Sequence, residues 1–304
     1  EIMPSLVGSE MCIRDSNMRI AREKIWISGS SGRLGTSMLR LLDPLDAEII
    51  ATDKNEVDIT NLDEVTQFLG RIRPHTIINC SGLSNRDKCE ANPDAAYLLN
   101  AIGARNIAIA SNKYMAKLVQ LSTADVFDGK SFKSYTEFDK ANPLNVYGKS
   151  KFEGENYVRE FSNHHFIVRV SRLYSRENQL VENILKEADT GEVRIAKDLF
   201  VSPTSAHELA NFLIKLIDTN YYGTYHASAD GYTSMKDFAA EILAYTGKNA
   251  TIIETSDDER LSQKPGFFAL DDYILKITGG DKIPNWKETL HQYIDREDLN
   301  GKTK

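Results

Sequence analysis

The sequence predicts an α/β fold built on a doubly wound parallel sheet with helices on both faces. Three observations support this prediction. Short apolar runs alternate with amphipathic stretches from Lys24 onward, a glycine loop joins the first strand to the first helix, and the alternation continues to about Val170. Repeated strand–helix units of this length favour parallel strands with right-handed crossovers, buried between two layers of helices.

The elements of this regular part follow from the apolar periodicity. We predict strands at residues 25–27, 49–52, 76–79, 117–121 and 165–170. The connecting helices are expected after the glycine loop, from about residue 62, from Pro93, and over residues 147–160. Proline is typical of the first helical position, and Thr60 and Asp63 have the spacing of a capping box at the start of the second helix.

The rhythm changes after Val170. Further helices are predicted at 180–188, 205–217, 235–245 and 286–294, with short strands at 193–196 and 225–227. We therefore predict a first domain over residues 18–170, to which later segments return, and a smaller, partly interleaved lobe formed mainly by residues 171–304. Residues 1–17 have no sustained period and resemble translated sequencing adaptor rather than a signal peptide, so we expect this leader to lie outside the fold, with Met18 as the start.

Composition and charge exclude several classes of function. The 304 residues carry a formal net charge of −7 with a sequence pI near 5.5, and no basic stripe is interleaved with aromatic residues. This balance disfavours binding to the phosphate backbone of a nucleic acid. No apolar run is long enough to cross a bilayer, so we expect a cytoplasmic protein that acts on neither nucleic acid nor membrane.

Disulfide and metal chemistry are not expected either. The three cysteines, Cys12, Cys80 and Cys89, are odd in number and widely spaced, which fits neither a disulfide framework nor a zinc site. The adjacent His164 and His165 would point to opposite faces of a strand. We predict no metal site within the fold.

The loop Gly29-x-x-Gly32-x-x-Gly35 comes directly after a predicted strand and directly before a predicted helix. Such a loop permits a tight turn, close approach of the backbone to a pyrophosphate, and close packing of helix on strand. The helix N-terminus then offers unpaired N–H groups to the phosphates. On the first strand–helix connection of a parallel sheet, the pattern favours a Rossmann-type NAD(P)-binding domain over a purely structural turn.

Asp53 ends the second predicted strand, 24 residues after Gly29. A carboxylate there accepts hydrogen bonds from the adenosine-ribose hydroxyls and repels a 2′-phosphate, which favours NADH. Lys54 and Arg33 are nearby cations that can neutralise such a phosphate, so NADPH stays an alternative. The competing interpretation of Asp53 is a solvated turn residue.

Tyr147 and Lys151 are four residues apart on a predicted helix and therefore share one face. Because a nearby ammonium favours phenolate, we expect Lys151 to lower the pKa of Tyr147 from its usual value of about 10. Ser122 and Thr123 follow the fourth predicted strand at its carboxyl end, where doubly wound sheets bind ligands. A hydroxyl there can hydrogen-bond a carbonyl under reduction. The competing interpretations are an exposed amphipathic helix for Tyr147 and Lys151 and a Ser/Thr turn that binds its own backbone for Ser122.

With these elements placed, the chain resembles the extended short-chain dehydrogenase/reductase superfamily and, within it, the dTDP-4-dehydrorhamnose reductases. The resemblance covers residues 18–294. Its most specific segments are Tyr135-x-Glu137 with residues 143–155 around Tyr147 and Lys151, Asp198 through Ser202-Pro203-Thr204, Gly223-Thr224-Tyr225-His226-Ala227, and Pro265 with Ala269-Leu270-Asp271.

The resemblance implies a reduction by NADH or NADPH of the C4 ketone of a deoxyhexose attached to a nucleoside diphosphate, in dTDP-L-rhamnose or related deoxysugar biosynthesis for cell-surface polysaccharide. Tyr147 would donate the proton, Lys151 would assist it, and Thr123 would polarise the carbonyl. The cofactor-contacting positions would be Gly29, Gly32, Arg33, Leu34, Gly35, Asp58, Ile59, Ser81 and Gly82, besides the catalytic pair. Related reductases often dimerise, sometimes with magnesium at the contact, so the resemblance also implies a homodimer that can carry magnesium.

Three positions depart from the usual pattern of this family, and all fall where the sugar nucleotide is expected. Asp125 follows Ala124 where the family has Asp-Tyr, Arg172 stands where tryptophan is usual, and Lys264 replaces an arginine near the nucleotide. Lysine lacks the planar, bidentate grip of arginine on phosphate. We assign Asp125, Arg172 and Lys264 to the substrate pocket, and the particular 4-keto sugar is left open.

Two other functions fit the same scaffold. One is a sugar-nucleotide epimerase or dehydratase that retains its NAD⁺. The other is a non-catalytic regulatory subunit resembling the methionine adenosyltransferase beta chain, which shares this fold. The presence of Thr123, Tyr147 and Lys151 favours a catalyst.

Overall fold

The computed structural model describes residues 23–45, 47–255 and 266–299, so the predicted leader and Lys264 lie outside the described residues. The first five strands are β1 Lys24–Ser28, β2 Glu48–Thr52, β3 Thr76–Asn79, β4 Lys117–Thr123 and β5 His165–Val170. They pair in parallel in the order β2-β1-β3-β4-β5. The strand order reverses between β1 and β3, and doubly wound sheets bind their ligands at such a point.

Helices connect these strands. They are α1 Arg33–Leu42, α2 Leu62–Ile72, α3 Arg86–Ala91, α4 Pro93–Tyr97, α5 Gly103–Lys113 and α6 Val146–Phe161. The prediction of one long helix from Pro93 is confirmed with one modification, because the π turn Leu98–Ile102 joins α4 to α5 without a break.

Alternation along the strands places the core on both faces of the sheet. In β1, Ile25 and Ile27 pack in the same core as Met38 of α1. Trp26, between them, belongs to the opposite core with Leu69 of α2. The sheet thus has a core and a helical layer on each face, which confirms the predicted fold class.

The later elements are shorter. The strands are β6 Arg172–Tyr174, β7 Glu192–Ala196, β8 Leu199–Val201, β9 Pro203–Ser205, β10 Gly223–His226, β11 Thr233–Ser234, β12 Thr251–Thr255 and β13 Gly266–Phe267. The helices are α7 Leu180–Ala188, α8 Ala206–Ile217, α9 Met235–Thr246, α10 Tyr273–Thr278 and α11 Trp286–Arg296. Strand β10 returns to the large sheet as the parallel neighbour of β5. The remaining strands form small sheets, β11-β8-β13, β12-β7 and β6-β9.

The start of α2 differs from the expectation. Asn61, not Thr60, is the N-cap, and its side chain accepts hydrogen bonds from the backbone N–H groups of Asp63 and Glu64. Thr60 instead donates to Asp58 through both its backbone N–H and its hydroxyl. The predicted capping box of Thr60 and Asp63 is therefore wrong by one residue.

Candidate functional site

The glycine loop packs closely against the backbone that follows β3. Gly29 has φ +74°, and a Cβ on it would lie 2.7 Å from the backbone nitrogen of Ser81. A Cβ on Gly35 would lie 2.5 Å from the carbonyl oxygen of Gly29, so Gly35 packs helix α1 onto the loop. Only glycine permits both approaches.

The N-terminus of α1 suits an anionic group. Gly32 is the N-cap and supplies no side-chain acceptor, and no acidic residue occupies the first turn. In contrast, the side chain of Asn145 caps α6. The first N–H groups of α1 thus retain the capacity to bind a pyrophosphate, and the residues present fit a dinucleotide.

A cavity of about 240 Å³ lies along one side of the loop. The predicted positions that line it are Gly29, Gly32, Asp53, Asp58, Ile59, Ser81 and Gly82. Asp53 accepts hydrogen bonds from the backbone N–H of Ser31 and the hydroxyl of Ser30, each at 3.2 Å, which ties it to the glycine loop. Hydrogen bonds from Thr60 lower the pKa of Asp58.

A second cavity, of about 370 Å³, lies at the carboxyl edge of the sheet. The predicted positions that line it are Gly32, Arg33, Leu34, Ser81, Gly82, Thr123, Asp125, Tyr147, Lys151 and Arg172. Leu199, Val201 and Phe268 contribute from the later part of the chain. The fold therefore joins the loop positions, the predicted catalytic trio and two of the departing residues in one space, while Gly35 stays behind the loop.

The surroundings of Tyr147 give its phenol a high proton affinity. Burial raises the pKa of Tyr147 to about 12, and the charge of Asp125 adds to this effect. The Thr123 hydroxyl, Arg33 and Arg86 act in the opposite direction without overcoming it. This direction contradicts the expectation of a pKa lowered by Lys151. A phenol with this pKa is protonated at neutral pH and is therefore ready to donate.

Lys151 is buried beside it, one helical turn further along α6. Burial lowers the pKa of Lys151 to about 8, and the charge of Glu155 opposes this shift. Glu155 is itself fully buried and ion-paired with Arg169, and it accepts a hydrogen bond of 2.5 Å from Ser122. The charge of Glu155, although paired with Arg169, thus favours the protonated form of Lys151.

Thr123 is tied to Asp125. Its hydroxyl donates to Asp125 Oδ2 at 3.1 Å, and the backbone N–H of Asp125 donates to the same hydroxyl oxygen at 3.2 Å. Arg86 of α3 forms an ion pair with Asp125, with Nη2 2.6 Å from Oδ1. Sequence reasoning found Asp125 but missed Arg86. The available signal was a cation in the segment after β3, which ends at the same sheet edge as β4.

Asn100 was also missed. It is buried in the π turn, where its Oδ1 accepts from the backbone N–H of Leu83 at 2.8 Å. Its Nδ2 donates to the carbonyl oxygen of Leu83 and to the hydroxyl of Ser150, both at 3.0 Å. Asn100 thus fastens the loop after β3 to the helix that carries Tyr147. An asparagine within an otherwise apolar helical stretch was the signal for it.

The structure also bears on metal binding and membranes. Across residues 23–45, 47–255 and 266–299, no group of three or more His, Cys, Asp or Glu side chains is arranged to hold a metal ion. Within the same residues, no helix has the length and apolarity needed to cross a membrane.

The parallel sheet, the glycine loop at its switch point and the Tyr147–Lys151 helix together define a dinucleotide-binding oxidoreductase of the extended short-chain dehydrogenase/reductase type. Within this class, the chain belongs to the family described as the RmlD substrate binding domain, whose model matches residues 23–299.

Relatives with known names support this assignment. The spore coat polysaccharide biosynthesis protein SpsK of Bacillus subtilis is 32% identical over 275 residues, which cover 89% of this chain and 96% of SpsK. The crystal structure of a dTDP-4-dehydrorhamnose reductase from Clostridium acetobutylicum is 38% identical with a TM-score of 0.87, and the match covers 90% and 99% of the two chains. The enzyme of the same name from Bacillus anthracis, solved in complex with NADP, is 36% identical with a TM-score of 0.87 and the same coverage.

Proposed function

We propose that this chain is a reductase that uses a nicotinamide dinucleotide to reduce the C4 ketone of a deoxysugar attached to a nucleoside diphosphate, as dTDP-4-dehydrorhamnose reductases do. The observation that carries the proposal is one cavity that contains the end of the glycine loop together with Thr123, Tyr147 and Lys151. The names of relatives over nearly their full length give the substrate class.

When bound, the nicotinamide supplies a hydride to the carbonyl carbon. Tyr147 gives its phenolic proton to the carbonyl oxygen, so the product is an alcohol and Tyr147 is left as phenolate until solvent returns a proton. Because the pKa of Tyr147 is raised, the proton is present at neutral pH before the reaction begins. Acid catalysis of this kind contributes about two to four powers of ten in rate.

The sugar nucleotide is expected on the side of the cavity lined by Arg172 and Phe268. Cationic side chains there favour a diphosphate, and an aromatic ring offers a surface to a sugar or a base. In this proposal residues 18–170 mainly bind the dinucleotide in a cytoplasmic enzyme, and residues 171–304 mainly bind the sugar nucleotide, with Asp125, Arg172 and Lys264 setting its identity. A homodimer, as implied by the family, is tested by the mass of the protein in solution.

The same proposal includes a preference for NADH. Asp53 lines the cavity beside the glycine loop and presents a carboxylate to the ribose of an adenosine placed there. Arg33, one of the two cations that were candidates to neutralise a 2′-phosphate, donates instead to the Ser84 hydroxyl at 2.8 Å and lines the Tyr147 cavity. Lys54 is left as the cation on the Asp53 side. We expect a higher kcat/KM with NADH than with NADPH, and Asp53→Ala should reverse or abolish that difference.

The test is a panel of nucleotide-linked 4-keto sugars, each mixed with the protein and with NADH or NADPH while nicotinamide absorbance is followed. Stoichiometric oxidation with at least one sugar supports the proposal, and Tyr147→Phe should lower that rate by about two to four powers of ten. Absence of oxidation with every sugar would refute it. Tightly retained NAD⁺ without net consumption would indicate an epimerase or dehydratase. A Tyr147→Phe protein with full cellular function would indicate a regulatory subunit.

A further inference from the structure

Asp125 is the centre of a buried polar cluster at the end of β4. Its side chain is 7% exposed, and three donors converge on its carboxylate. Arg86 Nη2 lies 2.6 Å from Oδ1 and 2.8 Å from Oδ2, Asn145 Nδ2 lies 3.0 Å from Oδ1, and the Thr123 hydroxyl lies 3.1 Å from Oδ2. A carboxylate satisfied in this way has a fixed orientation, because each oxygen has at least two hydrogen-bonding or ionic contacts.

Two of these donors connect Asp125 to the predicted catalytic residues. The single proton of the Thr123 hydroxyl points to Asp125, since a carboxylate can only accept. The hydroxyl must turn away from Asp125 before it can donate to a substrate carbonyl, which is the role that the family resemblance implies for Thr123. Asn145 is the N-cap of α6 and accepts from the backbone N–H of Gly148 at 2.7 Å. Asp125 therefore fixes both the hydroxyl and the first turn of the helix that carries Tyr147.

The third donor, Arg86, brings a positive charge to the same cavity. Its guanidinium carbon lies 5.5 Å from the centre of the Phe268 ring, so it is held between Asp125 and the later part of the chain. Arg86 and Asp125 shift the pKa of Tyr147 in opposite directions, Arg86 downward and Asp125 upward. The other charged groups that line this cavity are Arg33, Asp87, Lys151 and Arg172.

We propose that Arg86 and Asp125 act as a pair of positioning residues for the proton donor: Asp125 orients Thr123 and the start of α6, and Arg86 offsets the negative charge of Asp125 beside the phenolate that Tyr147 becomes. The reduction leaves a negative charge on Tyr147, and an unpaired carboxylate nearby would oppose its formation. The inference rests on the proposed function, because it assigns a purpose to the pair in the same proton transfer.

The test uses three variants, Arg86→Met, Asp125→Asn and the double variant, with Arg86→Lys and Asp125→Glu as versions that keep the charge. Two quantities are measured for each. The first is the midpoint of the Tyr147 phenolate absorbance in a titration upward from about pH 9, obtained as the difference from the same protein carrying Tyr147→Phe. The second is kcat for sugar-nucleotide reduction at about pH 7, where a phenol is protonated.

We expect opposite effects from the two single variants. Asp125→Asn should lower the titration midpoint of Tyr147 by about one pH unit, whereas Arg86→Met should raise that midpoint and lower kcat by about tenfold. The double variant should return the midpoint to within about half a pH unit of the wild type, and the charge-retaining variants should keep the wild-type midpoint.

A merely structural pair gives a different pattern. Equal losses of kcat in all variants with no change in the titration midpoint, or a double variant whose midpoint stays at that of either single variant, would overturn the inference. The phenolate measurement needs no turnover. If the protein reduces none of the sugars but the two variants still shift the titration midpoint in opposite directions, the proposed substrate is wrong and the charge pair stands.

Discussion

Gly148 gives the sharpest test of how the proton donor is positioned. It lies one residue after Tyr147 in α6, and a Cβ built on it would lie 2.1 Å from the carbonyl oxygen of Asp125 and 2.8 Å from the carbonyl carbon. Pro143 Cβ would be 3.1 Å away. These neighbours are backbone atoms or a proline ring, so no side-chain rotation relieves the clash. An ordinary contact needs at least 3.4 Å, so alanine at this position must move the first turn of α6 by about 1 Å.

The magnitude follows from that displacement. A misplacement of about 1 Å in a reacting group costs about a hundredfold in rate, and overpacking costs about 1–3 kcal/mol of stability. We therefore expect Gly148→Ala to lower kcat/KM for sugar-nucleotide reduction by about a hundredfold. Thermal unfolding is measured in parallel, because part of the overpacking cost is offset by the higher helix propensity of alanine, about 1 kcal/mol.

Gly70→Ala is the matched control. Gly70 is also a helical glycine, in α2, but a Cβ there would meet the hydroxyl of Tyr114 at 2.8 Å, the far end of a side chain that can move. We expect this variant to keep kcat/KM within about twofold of the wild type, because Gly70 lines neither cavity. Loss of the hydrogen bond from the Tyr114 hydroxyl to the Thr66 carbonyl oxygen should offset the gain in helix propensity and leave the unfolding temperature nearly unchanged. A Gly148→Ala protein with wild-type kcat/KM would show that the close contact of α6 with the Asp125 backbone does not position Tyr147.

Three further outcomes are expected. Burial lowers the pKa of Lys151 to about 8, and a lysine loses its charge above its pKa, so the KM for the dinucleotide should rise as pH increases through about 8. A Lys151→Met variant that shows the same rise would contradict this role of the Lys151 charge. Glu155→Gln removes the charge that neutralises buried Arg169 and should lower the free energy of unfolding in urea by about 3 kcal/mol. Glu160→Gln, on the exposed face of α6, should lower it by less than about 0.5 kcal/mol, and equal losses would be inconsistent with a buried ion pair. Asn100→Ala should release the loop after β3 and raise the KM for the dinucleotide about tenfold with little change in proton transfer. An unchanged KM would show that the hydrogen bonds of Asn100 to Leu83 are not needed for dinucleotide binding.

The fold and the location of the site could be predicted because they depend on local patterns. Apolar runs such as residues 76–79 are buried on both faces of a parallel sheet, so they can be identified without knowledge of their neighbours. The glycine loop and the four-residue spacing of Tyr147 and Lys151 are equally local. Parallel strands bring such residues to one edge of the sheet, which is where the structure places them.

The electrostatics could not be predicted from those patterns, because they depend on packing between distant segments. Arg86 and Asp125 are 39 residues apart in the chain, and only the neighbouring crossovers of β3 and β4 bring them together. The spacing of Tyr147 and Lys151 indicated a lowered pKa for the phenol. Its sign reverses in the structure because burial and the charge of Asp125 outweigh the nearby cations. The start of α2 could not be predicted for a similar reason at short range. Asn61 and Thr60 are both good N-cap residues, but Thr60 is bound to Asp58, so Asn61 caps the helix.

The π turn at Leu98–Ile102 makes the length of the helix that runs from Pro93 to Lys113 as important as its composition. Each residue of an α-helix advances the side chains by about 100° around the axis, and the π turn holds one residue more than a regular turn. Its insertion lets Asn100 face the loop after β3 while Ile107, further along, faces the core behind the sheet. Deleting one residue within the turn would give a more regular helix whose two halves no longer address both surfaces. Along this helix, a substitution should therefore be tolerated more easily than the insertion or deletion of a single residue.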